Sequence, residues 1–326
     1  MDLDNIFSTE DLSLAITNLP TRFGNPNDIN LFRPVPGTTK TFAVEFYEDT
    51  QILVPTTEWG GVAPKTSNGK RTAKSWTIPH MPLEDVIQAA DVIGVRAFGL
   101  TTAETVQSKV LDKLQQMRNK IDTTLAYRRS KAKQGVILDA NGSVLFDYYN
   151  DFGVAQQVVD FALNSTTTNV VSKCQDVIDL IEDGLGQELY TSIEVEVDRA
   201  FYDALTNHKS VRELYLNWSG AQEKLGQNNK SGFEIAGLKF IVNRQKVGST
   251  PIIAEKSGHA YPIGTQDVFQ TALAPADFNE TVNTLAMPYY AKQEPTKYNR
   301  GIELHCQANQ LMLCTKPKAL VKVTTP

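Results

Sequence analysis

Apolar residues recur at steps of three and four between residues 106 and 125. Val106, Val110, Leu114, Met117, Ile121 and Leu125 form one stripe, with Gln, Lys, Asp and Arg on the other faces. That spacing predicts a long amphipathic helix over residues 101–135. Both ends carry helix signals. Thr101, Thr102, Ala103 and Glu104 read as a capping box, in which the Thr101 hydroxyl accepts from an early backbone N–H. Arg128, Arg129, Lys131 and Lys133 gather where the helix dipole favours cations, and Gly135 stands in the usual stopping position. About 32 residues at 1.5 Å rise make a rod of roughly 48 Å, a spine against which a sheet can be laid.

Upstream, Leu12, Ala15, Ile16 and Leu19 share one face of a short helix predicted over residues 8–19, capped by Ser8 or Thr9 and ended by Pro20. Residues 20–37 hold Pro20, Gly24, Pro26, Pro34, Pro36 and Gly37 with little periodicity, which predicts an extended arm rather than part of a core. The period then falls to two. Phe42, Val44 and Phe46 alternate within residues 41–54, and Trp76 and Ile78 within residues 74–78, on either side of a stretch containing Gly60-Gly61, Pro64 and Asn68-Gly69. The result is a long two-stranded finger. An isolated ribbon is marginal in water, so one carrying Phe42, Phe46, Trp59 and Trp76 needs another surface. Lys65, Lys70, Arg71 and Lys74 face no acid between Trp59 and Leu83, a contrast suited to docking on a neighbouring copy of an acidic chain. The inter-subunit contact candidates are therefore Trp59, Lys65, Lys70, Arg71, Lys74 and Trp76. A hairpin folded back on its own chain, with a solvated lysine tip, is the other reading of this segment.

Met81 to Arg96 reads as a helix or short helical turns with Val86, Ile87, Ala90 and Ile93 inward. Beyond the spine, Asn141-Gly142 between two apolar runs predicts a hairpin whose turn residues are both left-handed. Val170, Val171, Cys174, Val177, Ile178 and Ile181 mark a helix ending at Gly184, and Phe201, Leu205, Val211 and Leu214 mark one or two more over residues 197–216. Strands are predicted at residues 233–242, 251–254 and 260–263. Ile302, Leu304 and Cys306, then Leu311 and Leu313, then Val321 and Val323 make the end of the chain mostly extended. No internal repeat or low-complexity tract occurs.

Composition sets limits on function. The chain has 326 residues, 41% hydrophobic and 21% charged, enough for one large or two medium domains. A net charge of −5 argues against a surface that grips phosphate over a large area. Cys174, Cys306 and Cys314 are odd in number and lack metal-ligand spacing, so they read as reduced core thiols. The start, Met1-Asp2-Leu3-Asp4-Asn5, is acidic where a signal peptide is basic, and no apolar run approaches the ~20 residues of a membrane span. A reducing cytosol is the expected site of synthesis.

Motifs for catalysis are not found. His80, His208, His259 and His305 lie in different elements without paired-ligand spacing. Gly184-Leu185-Gly186 starts a dinucleotide-like pattern, but Leu189 holds the third glycine position. His305 and Cys306 are adjacent on an alternating strand and so point to opposite faces. Asp176, Asp179, Glu182, Asp183 and Glu188 are read as the solvated side of a helix rather than a cation site. Gly69-Lys70 lacks the upstream glycine of a phosphate loop, and Arg71 stands where Ser or Thr should follow.

The order of parts, from arm through finger, spine, hairpin and inserted α/β unit to returning strands, resembles the major capsid proteins of tailed phages. The likeness is to the lambda-like major capsid protein E family. It is carried by Ile78-Pro79, Asp85-Val86-Ile87, Asp91-Val92-Ile93, Asp139-Ala140-Asn141-Gly142 and the run Phe233 to Phe240. Most specific are Ala260-Tyr261-Pro262-Ile263-Gly264, Ala274-Pro275-Ala276-Asp277, Glu280 to Thr284 and Pro288-Tyr289-Tyr290-Ala291-Lys292.

The resemblance implies an α+β tailed-phage major capsid fold. Its parts would be an N-terminal arm (residues 1–37), an extended two-stranded finger or E-loop (38–80), and a peripheral domain (81–164) with the spine helix at 101–134. An axial domain (165–272) and return strands of the peripheral domain (273–326) would follow. It further implies a virion protein, assembled in the host cytoplasm, that self-associates as hexamers and pentamers into an icosahedral head. Its implied partners are other copies of itself, a scaffolding protein, a decoration protein, the portal and packaged double-stranded DNA bound without sequence specificity. No catalytic residue, cofactor, metal, membrane or Lys–Asn weld between copies is expected. A soluble α/β enzyme with an unrecognised site, or another virion structural protein, remains the alternative on the residues alone.

Overall fold

The computed structural model describes residues 9–19, 26–48, 70–91, 106–217, 233–247 and 250–326. Helix α1 (Thr9–Asn18) buries Leu12 and Ile16, as its spacing predicts. The next segment corrects the expectation of a coreless arm. Residues 26–36 form helix α2 (Pro26–Leu31) and strand β1 (Arg33–Pro36), and Phe32 between them is buried edge-on against Phe269 at 5.2 Å. Pro34 and Pro36 lack N–H groups on the same edge, so β1 pairs on one side only, parallel to residues 270–273.

The finger is present as β2 (Thr41–Glu48) and β3 (Lys70–Thr77), antiparallel from Thr41 opposite Thr77 to Glu48 opposite Lys70. Residues 49–69, including Trp59 and Lys65, lie outside the described residues, as does the Thr101 capping box. Residues 82–88 are not helical. They form strand β4 (Pro82–Gln88), which turns Leu83, Asp85 and Ile87 inward, followed by a 3-10 turn at Ala89–Asp91. The long-range ladder to residues 301–307 overrides the local helical spacing of Val86, Ile87 and Ala90.

The spine is helix α3 (Val106–Ala132), 27 residues and about 40 Å long. Val110, Leu114, Met117, Ile121 and Leu125 are buried, while Val106 is 37% exposed. Polar side chains on α3 tie other segments to it. Lys113 pairs with Asp85 of β4 at 2.8 Å, and Arg118 donates to the Ile16 carbonyl of α1 and pairs with Asp122, which accepts from the Tyr289 hydroxyl at 2.6 Å.

The basic end of the spine does more than complement the helix dipole. Arg128 is buried and donates to Asp139 at 3.2 Å. Lys133, 1% exposed, lies between Asp28 of α2, at 2.9 Å, and Glu196. Glu196 also accepts from the Tyr261 hydroxyl at 3.1 Å. Burial pushes the Asp28 carboxyl up against the opposing pull of Lys133, while the two carboxylates hold the Lys133 ammonium above its ordinary value despite burial.

Gly135 ends the spine at φ +83°, where an added Cβ would strike the Tyr149 ring. Strands β5 (Val136–Leu138) and β6 (Val144–Asp147) make the expected hairpin by a different turn. Gly142 N–H donates to the Asp139 carbonyl, Asn141 Oδ1 accepts from Ser143, and Gly142 is left-handed whereas Asn141 is not, so the loop is longer and bulged. Helix α4 (Tyr148–Phe152) follows, capped by the Asp147 carboxylate and closed by Gly153.

Then come β7 (Gln157–Asp160), α5 (Val170–Leu185) with Asn169 as its cap, and β8 (Ser192–Val197). Helix α5 does not stop at Gly184. Gly186 closes it, and Gly184 instead lets the helix approach Ala319, whose N an added Cβ would meet at 2.5 Å. Strand β8 has no counterpart among the predicted elements, although Ile193, Val195 and Val197 alternate with Glu194 and Glu196. Next are α6 (Arg199–Asn207), α7 (Lys209–Asn217), β9 (Phe233–Ile235), β10 (Leu238–Val242), β11 (Lys246–Val247) and β12 (Thr250–Pro251). The chain finishes with β13 (Ser257–Ile263), β14 (Phe269–Leu273), β15 (Tyr290–Pro295), β16 (Gly301–Gln307), β17 (Gln310–Cys314) and β18 (Val321–Thr324).

The largest sheet is six-stranded and mixed, in the order β7-β18-β13-β8-β10-β9. Its apolar side meets α5 and α6, with Phe201 and Phe240 both packed on Phe161. Its other side carries Glu194, Glu196 and Tyr261 towards the end of the spine. Two three-stranded sheets, β15-β16-β4 and β1-β14-β17, lie along the spine itself.

Candidate assembly interface

The finger is held at its root by α4. Asp147 accepts from the backbone N–H groups of Tyr149 and Asn150, which orients Tyr148, Asp151 and Phe152. Trp76 of β3, 5% exposed, stacks on Phe152 at 5.8 Å, meets Tyr148 edge-on at 6.4 Å, and donates its indole N–H to Asp151 at 3.0 Å. Tyr148 donates in turn to the Met312 carbonyl, and burial raises its phenol well above the ordinary range. Lys74 donates to the Asp151 carbonyl and stands 4.7 Å from the Phe152 ring centroid. Ile78 N–H closes the root on the Lys40 carbonyl at 2.9 Å.

The structure thus separates the six contact candidates. Trp76 and Lys74 are engaged within their own chain, and they join the finger to the body. Lys70 and Arg71 lie in β3 at the register positions opposite Glu48 and Tyr47, a pairing that reading along the chain did not reveal. Trp59 and Lys65 are outside the described residues. Missed in the sequence were Tyr148, Asp151 and Phe152. The available signal was Asp147 and Gly153, a cap and a stop enclosing one aromatic-rich turn.

Beside the root lies a cleft of about 570 Å³ lined by Ile78, Ala274, Pro275 and Ala276 and by more numerous polar residues, among them Lys40, Thr41, His80, Asp277 and Asn309. His80 Nδ1 lies 2.9 Å from Asn309 Oδ1, and Asn309 donates to the Pro275 carbonyl at 3.0 Å. Val282, 63% exposed, lines it, and Leu285, three residues on, is 64% exposed. Their loop is firmly built. The Thr281 hydroxyl donates to the Ala276 carbonyl at 2.8 Å, the Thr284 hydroxyl to the Thr281 carbonyl at 2.8 Å, and Ala286 N–H to the Gly37 carbonyl at 2.9 Å. Asn283 turns the chain between the two apolar residues at φ +60°, a conformation asparagine tolerates better than most.

Reactive groups are placed in packing roles. Burial pushes the thiols of Cys174, Cys306 and Cys314 up to about 12, and all three are buried and free. His259 is buried, and desolvation, with Lys322, Lys131 and Lys133 nearby, lowers its imidazole to about 3. His208 bonds the Ser165 carbonyl, while His305 faces Glu84 on the side of β16 opposite buried Cys306. Asp176, Asp179, Glu182 and Asp183 are exposed on α5, and Glu188 pairs with Lys316 at 2.9 Å. Among the described residues no three His, Cys, Asp or Glu side chains are grouped to hold a metal ion, and no helix is long and apolar enough to cross a membrane.

Comparison with known proteins identifies the family. The chain is 26% identical to the major capsid protein of Salmonella phage Felix O1 (isolate Felix O1-VT1), covering 97% of this chain and 96% of that protein. It is 24% identical to the major capsid protein of Pseudomonas phage KPP10, covering 98% and 97%. In fold it is similar to a candidate capsid protein of an Escherichia coli CFT073 prophage, with a TM-score of 0.59 at 14% identity over 98% of this chain and 99% of that one. A chain of the bacteriophage PhiM1 mature capsid gives a TM-score of 0.52 at 12% identity, covering 94% and 90%. The family model for phage major capsid protein E matches residues 8–325, and the chain belongs to that family of shell-building proteins.

Proposed function

We propose that copies of this major capsid protein join as hexamers and pentamers and close into an icosahedral head around double-stranded DNA, with the finger as a principal tie between copies. The observation that carries the proposal is the finger's construction. A two-stranded ribbon is clamped to the body through Trp76, Asp151 and Phe152, while the sequence of its outer part adds the apolar residues Ile52, Leu53, Val54 and Trp59. Trp59, Lys65, Lys70 and Arg71 are proposed to meet a neighbouring copy, whereas Trp76 and Lys74 hold the ribbon in position for it. Residues 81–164 and 273–326 would form the wall, and 165–272 the unit nearest the capsomer axis. A scaffolding protein, a decoration protein and the portal are proposed as further partners, and the net negative charge suits a wall that does not bind its packed DNA tightly.

Deletion of residues 60–70 tests the reading. The deleted protein should keep the thermal transition of the body and fail to form closed particles. Normal particles from it would show that the finger is dispensable.

A further inference from the structure

A histidine can act as a switch when the ring nitrogen that lacks a hydrogen already faces a fixed carboxylate. His80 meets that description. It lies between Ile78 at the finger root and strand β4, and it lines the cleft beside the root. Its Nδ1 is 2.9 Å from Asn309 Oδ1. The Asn309 amide N–H donates to the Pro275 carbonyl at 3.0 Å, so its oxygen is the acceptor and the hydrogen-bond network assigns the ring hydrogen to Nδ1. The neutral ring is left with a bare lone pair at Nε2, 3.7 Å from Asp277 Oδ2 and beyond hydrogen-bond reach of it.

Asp277 is fixed from its other side. Its Oδ1 accepts from Gln307 Nε2 at 2.8 Å, and fully buried Gln307 keeps that bond although its own Oε1 has no partner among the described residues. Burial pushes the Asp277 carboxyl up, but the Gln307 amide, its own backbone N–H and the rings of His80 and His305 outweigh this and hold it below the usual carboxylate range. Asp277 is therefore an anion throughout the interval, about pH 5–8, in which imidazoles exchange their proton.

We propose that His80 and Asp277 form a proton-operated latch across the cleft, drawing the finger root and the loop of residues 274–286 together as the pH falls. Protonation places an N–H at Nε2 facing the fixed carboxylate and turns a gap between an uncharged ring and an anion into a charge-assisted contact. The contact is lost again as rising pH removes that proton. Of the charged side chains lining the cleft, Asp277 favours the added charge and Lys40, just before β2, opposes it. His305 behaves differently. Its Nδ1 is 3.1 Å from Glu84, with Lys292, Glu294 and Glu303 lining the same hollow, but its Nε2 is buried without a partner among the described residues, so a second proton there meets no acceptor. The response is accordingly assigned to His80. Its size is modest, because the two side chains are 44% and 64% exposed, and a pair so exposed shifts an opening equilibrium by about two- to fivefold.

Hydrogen exchange followed by mass spectrometry on dilute full-length protein at pH 6 and pH 8, corrected for intrinsic rates, tests the latch. Peptides from residues 274–286 should be about two- to fivefold better protected at pH 6, relative to peptides from α5. H80Q and D277N should each abolish that difference, since either removes one end of the latch and both positions are open to solvent, while H305Q should keep it. Equal protection of the wild-type loop at the two pH values would overturn the proposal. So would a wild-type response in H80Q or in D277N, or its loss in H305Q.

Discussion

Lys133 is the buried charge on which the junction of spine, α2 and six-stranded sheet depends, and its substitution by methionine gives the sharpest stability prediction. The ammonium is 1% exposed and its two carboxylate partners, Asp28 and Glu196, are 5% and 4% exposed. Lys133→Met keeps the bulk of the stem and removes the charge, leaving two carboxylates in the interior. Glu196 retains the Tyr261 hydroxyl at 3.1 Å and the Asn243 amide at 3.3 Å, whereas Asp28 loses its close cation. Removing one partner of such a group costs about 3–5 kcal/mol, a large share of the roughly 5–15 kcal/mol that holds a domain together. At about 2 °C per kcal/mol for a chain of this size, the unfolding midpoint should fall by roughly 6–10 °C.

Two controls separate this cause from simple loss of packing. The triple variant K133M/D28N/E196Q removes every formal charge of the group and should be more stable than K133M alone. Acid should also lessen the defect. Asp28 has a folded-state pKa raised above its unfolded value, and loss of Lys133 raises it further, so the contribution is present at low pH and lost as pH rises through the folded value. The stability difference between K133M and wild type should therefore be smaller near pH 5 than near pH 8. Differential scanning calorimetry of unassembled protein at both values is the assay. A K133M midpoint equal to wild type, or a triple variant less stable than the single one, would refute the reasoning.

Further predictions concern other parts of the molecule. Trp76→Ala should cost about 3–5 kcal/mol and speed hydrogen exchange in residues 41–48 and 70–77, while Trp76→Phe keeps the ring contact and loses about 1 kcal/mol with the Asp151 bond; unchanged exchange in W76A would show that the root is held elsewhere. His259 is lowered to about 3, so its contribution to stability is present above the unfolded value near 6.5 and lost as pH falls from there towards 3. That amounts to at most about 5 kcal/mol, and His259→Asn should flatten this part of the acid-unfolding curve, which an unchanged curve would contradict. Thiol reagents at pH 8 should leave Cys174, Cys306 and Cys314 unmodified in folded protein and titrate all three after denaturation; rapid labelling of the native form would show that a thiol is accessible.

The parts of the fold legible in the sequence are those whose burial follows a single local period. The stripe from Val110 to Leu125 is buried as its spacing requires, and so are Val170, Cys174, Val177 and Ile181 of α5, while Val171 at the edge of that stripe is 37% exposed and Ile178 half-buried. Where two periods compete, distant partners decide. Val86, Ile87 and Ala90 fit a helix, but Ile87 is turned inward by pairing with Ile302, and the inward Asp85 finds its cation in Lys113 on the spine. The charges at the end of the spine were open to misreading for the same reason. Nothing near Lys133 in the chain announces Asp28 or Glu196, and the three meet only when α2 and β8 are folded against it. At the candidate interface the aromatic strands of the finger were legible, whereas its anchor was not, because Asp151 and Phe152 lie 75 or more residues further along the chain. The cross-strand pairing of Lys70 with Glu48 likewise appears only in the register.

The central claim is that this chain builds a closed shell from copies of itself. It is tested most directly by negative-stain electron microscopy, together with sedimentation velocity, on purified protein expressed alone and with a scaffolding protein. The account predicts closed particles or capsomer-sized rings in at least one of the two preparations. A lone, well-folded monomer in both would contradict it.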